Sequence, residues 1–152
     1  MVIPSTNIFL DKNFSKKDDV IHYIANKADK LEYTQSSKDL FNVFKEREKD
    51  YSTGLQEGFA IPHAKSRIVK KPGIIYVRSN TGIEWETYDN QAVTDVFALM
   101  VPDKDVGTIH LQMLSNLATA LLDDDFKLKL RNLDDKGQIS EFITKQIGET
   151  IS

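Results

Sequence analysis

Val93-Thr-Asp-Val-Phe-Ala-Leu-Met-Val101 is β-rich and almost unbroken in apolar residues, the pattern of a strand buried on both faces at the centre of a sheet. Upstream, Gly73-Ile-Ile-Tyr-Val-Arg78 reads as a second strand, and Ile8 to Leu10 as a short third. Asn80-Thr-Gly82 and Tyr88-Asp-Asn-Gln91 carry turn chemistry between strands. Helical periodicity flanks this middle on both sides. Ser15-Lys-Lys-Asp18 has the spacing of a capping box ahead of a stripe of Ile21, Ile24, Ala28 and Leu31. A second helix is expected from Ser37 to about Glu48, with Leu40, Val43 and Phe44 inward. It ends in the charge run Lys45-Glu-Arg-Glu-Lys-Asp50. Downstream, Thr108 to Leu122 carries Ile109, Met113, Leu117 and Leu121 on one stripe. Further helices are expected over Asp124 to Leu130 and Gln138 to Ile147. The pattern predicts a three-layer α/β/α sandwich with a mixed central sheet flanked by helices, in a single domain covering residues 1–152.

Composition narrows the chemistry. A net charge of −3 provides no basic field for nucleic acid. The absence of cysteine excludes disulfides, thiolate metal sites and thiol catalysis by this chain. No apolar run approaches the roughly 20 residues that span a bilayer, and the N-terminus lacks the order of a signal peptide. A cytoplasmic protein without membrane insertion is expected.

With three histidines, each can be weighed. His22 lies off its helix stripe beside Asn26 and Asp29, where a solvated side chain is expected. His63 follows Gly58-Phe-Ala-Ile-Pro62. The proline restricts Ile61 to extended geometry and removes one backbone donor, so His63 should leave an element's end on a stiff backbone. The spacing alone leaves a turn histidine without chemistry equally open. His110 falls in the first turn of a helix that Thr108 could cap, where free N–H groups and the helix dipole favour anions. A histidine at the core margin is the plainer alternative. Arg47, at the end of the second helix, can supply a delocalised cation, although an arginine in a charge run is usually solvated.

Arg47-Glu-Lys-Asp-Tyr-Ser-Thr-Gly-Leu-Gln-Glu-Gly-Phe-Ala-Ile-Pro-His63-Ala resembles the active-site segment of the fructose/mannitol family of EIIA domains, the type-2 EIIA of bacterial sugar phosphotransferase systems. Lys71-Pro-Gly-Ile, Gly82-Ile-Glu-Trp85, Ala92-Val to Val101-Pro and His110-Leu-Gln-Met-Leu-Ser-Asn-Leu-Ala118 follow in the family's order. The likeness therefore covers nearly the whole chain. Gln56 stands where the family usually has glycine, and Phe59 where a smaller aliphatic is usual. The resemblance implies that His63 accepts a phosphoryl group from the phosphohistidine of the carrier HPr and passes it to a cysteine of an EIIB domain. That domain is part of an EIIB/EIIC transporter. His110 and Arg47 would stabilise the phosphate, aided by backbone N–H groups near Thr53 and Gly54. No cofactor and no metal are implied. Having neither an EIIB cysteine nor spanning helices, the chain would pass its phosphate to another polypeptide or be part of a larger one.

Fructose is the favoured sugar, because Val101-Pro-Asp-Lys-Asp-Val-Gly-Thr-Ile-His110-Leu looks closest to that branch. Mannitol and galactitol stay open. Phe59, Leu55 and Ile61 are candidates for an apolar docking rim, with core packing the alternative for Ile61. Three other functions compete. One is a regulatory phospho-switch like the nitrogen-related branch. Another is a serine hydrolase using Ser52 or Ser66, for which no nucleophile elbow is present. The third is an interaction domain with His63 buried.

Overall fold

The computed structural model describes residues 3–104 and 108–148, with the side chains of residues 108–111 and 113 outside that description. The strands are β1 (Ile8–Lys12), β2 (Phe59–Ala60), β3 (His63–Lys65), β4 (Gly73–Ile83) and β5 (Val93–Val101). The helices are α1 (Lys17–Lys30), α2 (Ser37–Asp50), α3 (Thr108–Ala120), α4 (Asp124–Arg131) and α5 (Lys136–Gly148).

β5 is the hub of the sheet. It pairs antiparallel with β4 on one side and parallel with both β2 and β3 on the other, while β1 runs parallel to β4 at the far edge. The alternation of side chains along the strands sorts the core into two layers. Ile75, Val77, Val96, Ala98 and Met100 meet Ile21, Ile24, Leu40 and Phe44 of α1 and α2. Ile74, Tyr76, Phe97 and Leu99 meet Leu117, Phe126, Leu130, Ile139 and Ile143 of α3, α4 and α5, together with Leu121 just after α3. Each Val, Leu, Ile, Phe or Met side chain among them contributes about 1.5–3 kcal/mol on full burial. The sandwich expected from the sequence is thus formed.

Local signals fix several element ends. The Ser36 hydroxyl caps α2 by accepting from the Asp39 amide at 3.1 Å, and the Asp123 carboxylate caps α4 through Asp125 N at 2.9 Å. The capping box expected at Ser15 does not form. α1 starts after Lys16 with no side-chain cap, because the Ser15 carbonyl accepts the Glu84 amide (2.9 Å) and Lys16 bridges Glu84. Nor do Asn80, Thr81 and Gly82 turn the chain. They continue β4 through an irregular stretch in which the Ser79 hydroxyl bonds the Thr81 carbonyl at 2.7 Å.

One buried polar cluster crosses the second layer. Asp95 accepts from the Tyr76 hydroxyl, and from that of Thr94 at 2.7 Å. Arg78 and Arg131 each bring Nε to 3.5 Å of its carboxylate. Arg78 also donates to the Leu133 and Leu130 carbonyls (2.7 and 3.0 Å), and Arg131 to the Glu57 carbonyl. The cluster therefore ties the sheet to α4 and to the loop before His63. Among the described residues no helix is long and apolar enough to cross a membrane.

Candidate functional site

β2 and β3 are one edge strand with a break in it. Phe59 pairs with Asp95 and His63 with Leu99, an offset of 36 positions in both cases, so the register survives across Ile61-Pro62. Between them the backbone peels outward. The Ile61 amide turns to the Thr53 carbonyl (3.1 Å), and Pro62, with no N–H to offer, still accepts from Leu99 N at 2.9 Å. Ala64 enters the core under α1 and α2, so alternation takes the neighbouring His63 side chain out of that core, at the open edge of the sheet beside the end of α2.

The His63 imidazole is half buried and borders a cleft of 690 Å³. Asn42, Val43, Glu46, Arg47 and Asp50 of α2 line it, together with Lys65 and Ser66. Burial pushes the ring's pKa below its usual 6.5, and the Arg47 cation lowers it further. The Ile61 backbone and the Glu48 charge pull weakly in the other direction. Nδ1 is sealed from solvent without a well-formed hydrogen bond among the described residues. The ring is therefore neutral at neutral pH, which leaves one nitrogen with a free lone pair.

Arg47 lies in the last turn of α2, as expected. Its Nη1 donates to the Tyr51 carbonyl at 2.9 Å and its guanidinium sits 4.9 Å over the Tyr51 ring. The amides assigned to an incoming anion are occupied instead. Thr53 N–H points at both Glu48 carboxylate oxygens (3.3 Å each), and Gly54 N–H donates to the Ser52 hydroxyl (3.1 Å). Gly54 serves the loop differently, because a Cβ there would stand 2.2 Å from the Glu86 carbonyl oxygen and 2.9 Å from Trp85 Cδ1. His110 falls in the first turn of α3, and its side chain lies outside the described residues.

One further expectation changes and one holds. Phe59 is no docking rim: it is fully buried against Phe97, with Arg131 over its face, while Leu55 and Ile61 are partly buried beside it. His22 is exposed as expected, and its ring stacks on Phe41 at 3.6 Å. Ser52 donates to the Glu86 carbonyl and Ser66 accepts from Ile68 N, so both hydroxyls are engaged away from His63. Sequence reasoning passed over Glu48. Its signal was present: Leu40, Phe44 and Glu48 recur at i, i+4 and i+8, and all three are buried.

The sequence profile described as "Phosphoenolpyruvate-dependent sugar phosphotransferase system, EIIA 2" matches residues 1–146. The chain is 27% identical over 146 residues to the fructose-specific EIIA component of Haloferax volcanii, covering 96% of this chain and 94% of that protein. It is 28% identical to the 2-O-alpha-mannosyl-D-glycerate-specific EIIABC component of Escherichia coli, over 84% of this chain but only 21% of that longer protein. A nitrogen regulatory protein of Klebsiella oxytoca is 37% identical, over 72% of this chain and 68% of its own length. Among solved structures, the nitrogen regulatory protein IIA-Ntr of Neisseria meningitidis superposes with a TM-score of 0.86 at 27% identity, covering 94% of this chain and 97% of that one. An Escherichia coli complex of mannitol enzyme IIA with phosphorylated enzyme IIB shares the fold, with a TM-score of 0.78 at 20% identity. A mixed sheet between two helical layers, an edge strand broken before its histidine and a sequence matched almost end to end converge on one assignment: this chain belongs to the type-2 EIIA family of the phosphoenolpyruvate-dependent sugar phosphotransferase system.

Proposed function

We propose that this chain is a single-domain phosphoryl carrier whose nucleophile is Nε2 of His63. The observation that carries the reading is the neutral imidazole beside Arg47 at the cleft, with Nδ1 sealed and Nε2 left to meet an incoming group. In the first step the Nε2 lone pair attacks the phosphorus of phospho-HPr. An N–P bond forms at His63 while the donor's N–P bond breaks, and the donor histidine leaves with the electron pair. In the second step a cysteine thiolate of an EIIB domain attacks the same phosphorus, and His63 departs as neutral imidazole. Alignment and charge stabilisation are the protein's main contributions to such a transfer. Arg47 supplies a planar cation suited to phosphoryl oxygens, and His110 is assigned the same task from the start of α3. Thr53 and Gly54 shape the supporting loop.

Reconstitution with phosphoenolpyruvate, enzyme I and HPr tests this. Wild-type protein gains an acid-labile phosphate and His63→Ala gains none. Phosphate on His63→Ala overturns the assignment. His110→Ala keeps the fold and slows onward transfer, and a normal rate removes His110 from the role.

Fructose is the preferred sugar of the partner transporter, supported by the likeness to the Haloferax protein along its length. The same reading, with enzyme I and HPr as donors, has the transfer run in the cytoplasm. A second reading, a phosphorylation-dependent regulatory switch, is supported by the 37% identity to the Klebsiella nitrogen regulatory protein. The two part at the acceptor: transfer to an EIIB cysteine coupled to sugar uptake favours transport, and phosphate retained with no EIIB acceptor favours the switch.

A further inference from the structure

Glu48 is a carboxylate taken out of water at the end of a helix whose other charges are largely exposed. Its side chain is 3% accessible. Burial of a carboxylate is costly unless its oxygens are filled, and here they are filled by Thr53 of the following loop and Lys17 of α1. Both oxygens face the Thr53 amide at 3.3 Å, Oε1 accepts from the Thr53 hydroxyl, and Oε2 lies 3.3 Å from Lys17 Nζ of α1. Lys17 is held in turn 5.3 Å over the Trp85 ring. From Thr53 the connection continues by backbone. The Thr53 carbonyl accepts the Ile61 amide at 3.1 Å, Gly54 bridges Ala60, and Pro62 transmits the direction stiffly to His63. Arg47 precedes Glu48 in the chain, so the cation and the clamp share one helical turn.

Resting on the phosphoryl-carrier reading, we infer that Glu48 is a positioning residue of the transfer: its carboxylate clamps Thr53 and, through Thr53 and Ile61-Pro62, holds the His63 imidazole in line for attack beside Arg47. A carboxylate that served only the core could give way to an apolar residue with little loss. One that sets the nucleophile's direction could not, since a misplacement near 1 Å slows such a reaction by about a hundredfold. Glu48 also acts on the ring by its charge, opposite in sign to Arg47.

The test is Glu48→Gln in the full chain, with Thr53→Val as a second variant should the first fold poorly. Gln keeps one acceptor for Thr53 and loses the charge. Phosphoryl acceptance from phospho-HPr and the NMR titration of the His63 ring are followed together. Glu48→Gln is expected to slow acceptance about tenfold to a hundredfold, with half-saturation by phospho-HPr unchanged, and to move the His63 titration to lower pH. Thr53→Val slows acceptance without moving the titration. A wild-type rate and an unmoved titration in Glu48→Gln overturn the inference. So does a rate loss that merely tracks lost folded protein with the titration unmoved. If wild-type protein itself takes no phosphate, the carrier reading falls, while the titration shift still decides whether Glu48 acts on His63.

Discussion

A histidine that attacks phosphorus needs its lone pair, and protonation takes it away. Burial and Arg47 hold the His63 pKa below 6.5, so phosphoryl acceptance is expected to stay level as pH falls through 6.5 and to decline only at the lower, native value. A pH–rate profile with its break at or above 6.5 contradicts this. The same shift enters stability. The native ring resists the proton that the unfolded ring accepts at 6.5, so the benefit is complete above that pH. It is lost as pH drops toward the native pKa and levels off beneath it. The urea midpoint of wild type should fall relative to that of His63→Ala as pH drops across that window. The placement of His63 at a strand edge and of Arg47 in the last turn of α2 was legible from the proline and the helix pattern. The roles proposed for them rest on the family resemblance, since spacing alone left a turn histidine and a solvated arginine open. Glu48 was hidden inside a charge run where its neighbours Glu46 and Lys49 are exposed, and only the i, i+4 recurrence set it apart. The occupied Thr53 and Gly54 amides could not be read in advance, since which hydroxyl or carboxylate reaches an amide depends on tertiary placement.

At the level of elements, the loop between α2 and β2 is where sequence and strain meet. Glu57 and Gly58 both take left-handed backbone, at φ 57° and 85°. Glu57 tolerates it because α4 grips it, with Lys127 Nζ 3.1 Å from its carboxylate and Arg131 on its carbonyl. At Gly58 a Cβ would add steric strain and stand 2.8 Å from Arg131 Nη2. Gly58→Ala should therefore cost about 1–3 kcal/mol, seen as a lower urea midpoint, and should slow phosphoryl acceptance by shifting the loop. Strongly periodic elements were readable: β5, α2 and α4 stand close to their expected positions because pattern, caps and burial agree. The failures share one cause. Ser15 and Asn80 to Gly82 had local chemistry for a cap and a turn, and the pairing of Ser15 and Lys16 with Glu84 and the extension of β4 overrode it.

For the molecule as a whole, the Asp95 cluster is a buried polar tie between the sheet and the second helical layer. Tyr76 is fully buried, and burial together with the Asp95 charge raises its hydroxyl pKa well above the ordinary tyrosine value, so it remains a donor. Asp95→Ala leaves Arg78 half buried without its counter-charge and should cost about 3–5 kcal/mol. Tyr76→Phe removes one donor to a charged acceptor and should cost about 1.5–3 kcal/mol. Equilibrium urea unfolding measures both, and a loss below 1 kcal/mol for Asp95→Ala would show the cluster to be dispensable. The layered fold was readable from apolar periodicity. This cluster was not, because Asp95 and Arg78 sit in strands that otherwise read as continuous core.

The interruption at Ile61-Pro62 has a second consequence, for solubility. An unprotected outer strand is a template on which other chains can stack, and such templates seed aggregates. Here that border is cut into lengths of two and three residues, a proline without an amide stands between them, and Thr53 and Gly54 already pair with the first length. The kink that precedes the imidazole thus also denies neighbouring molecules a continuous ladder to extend.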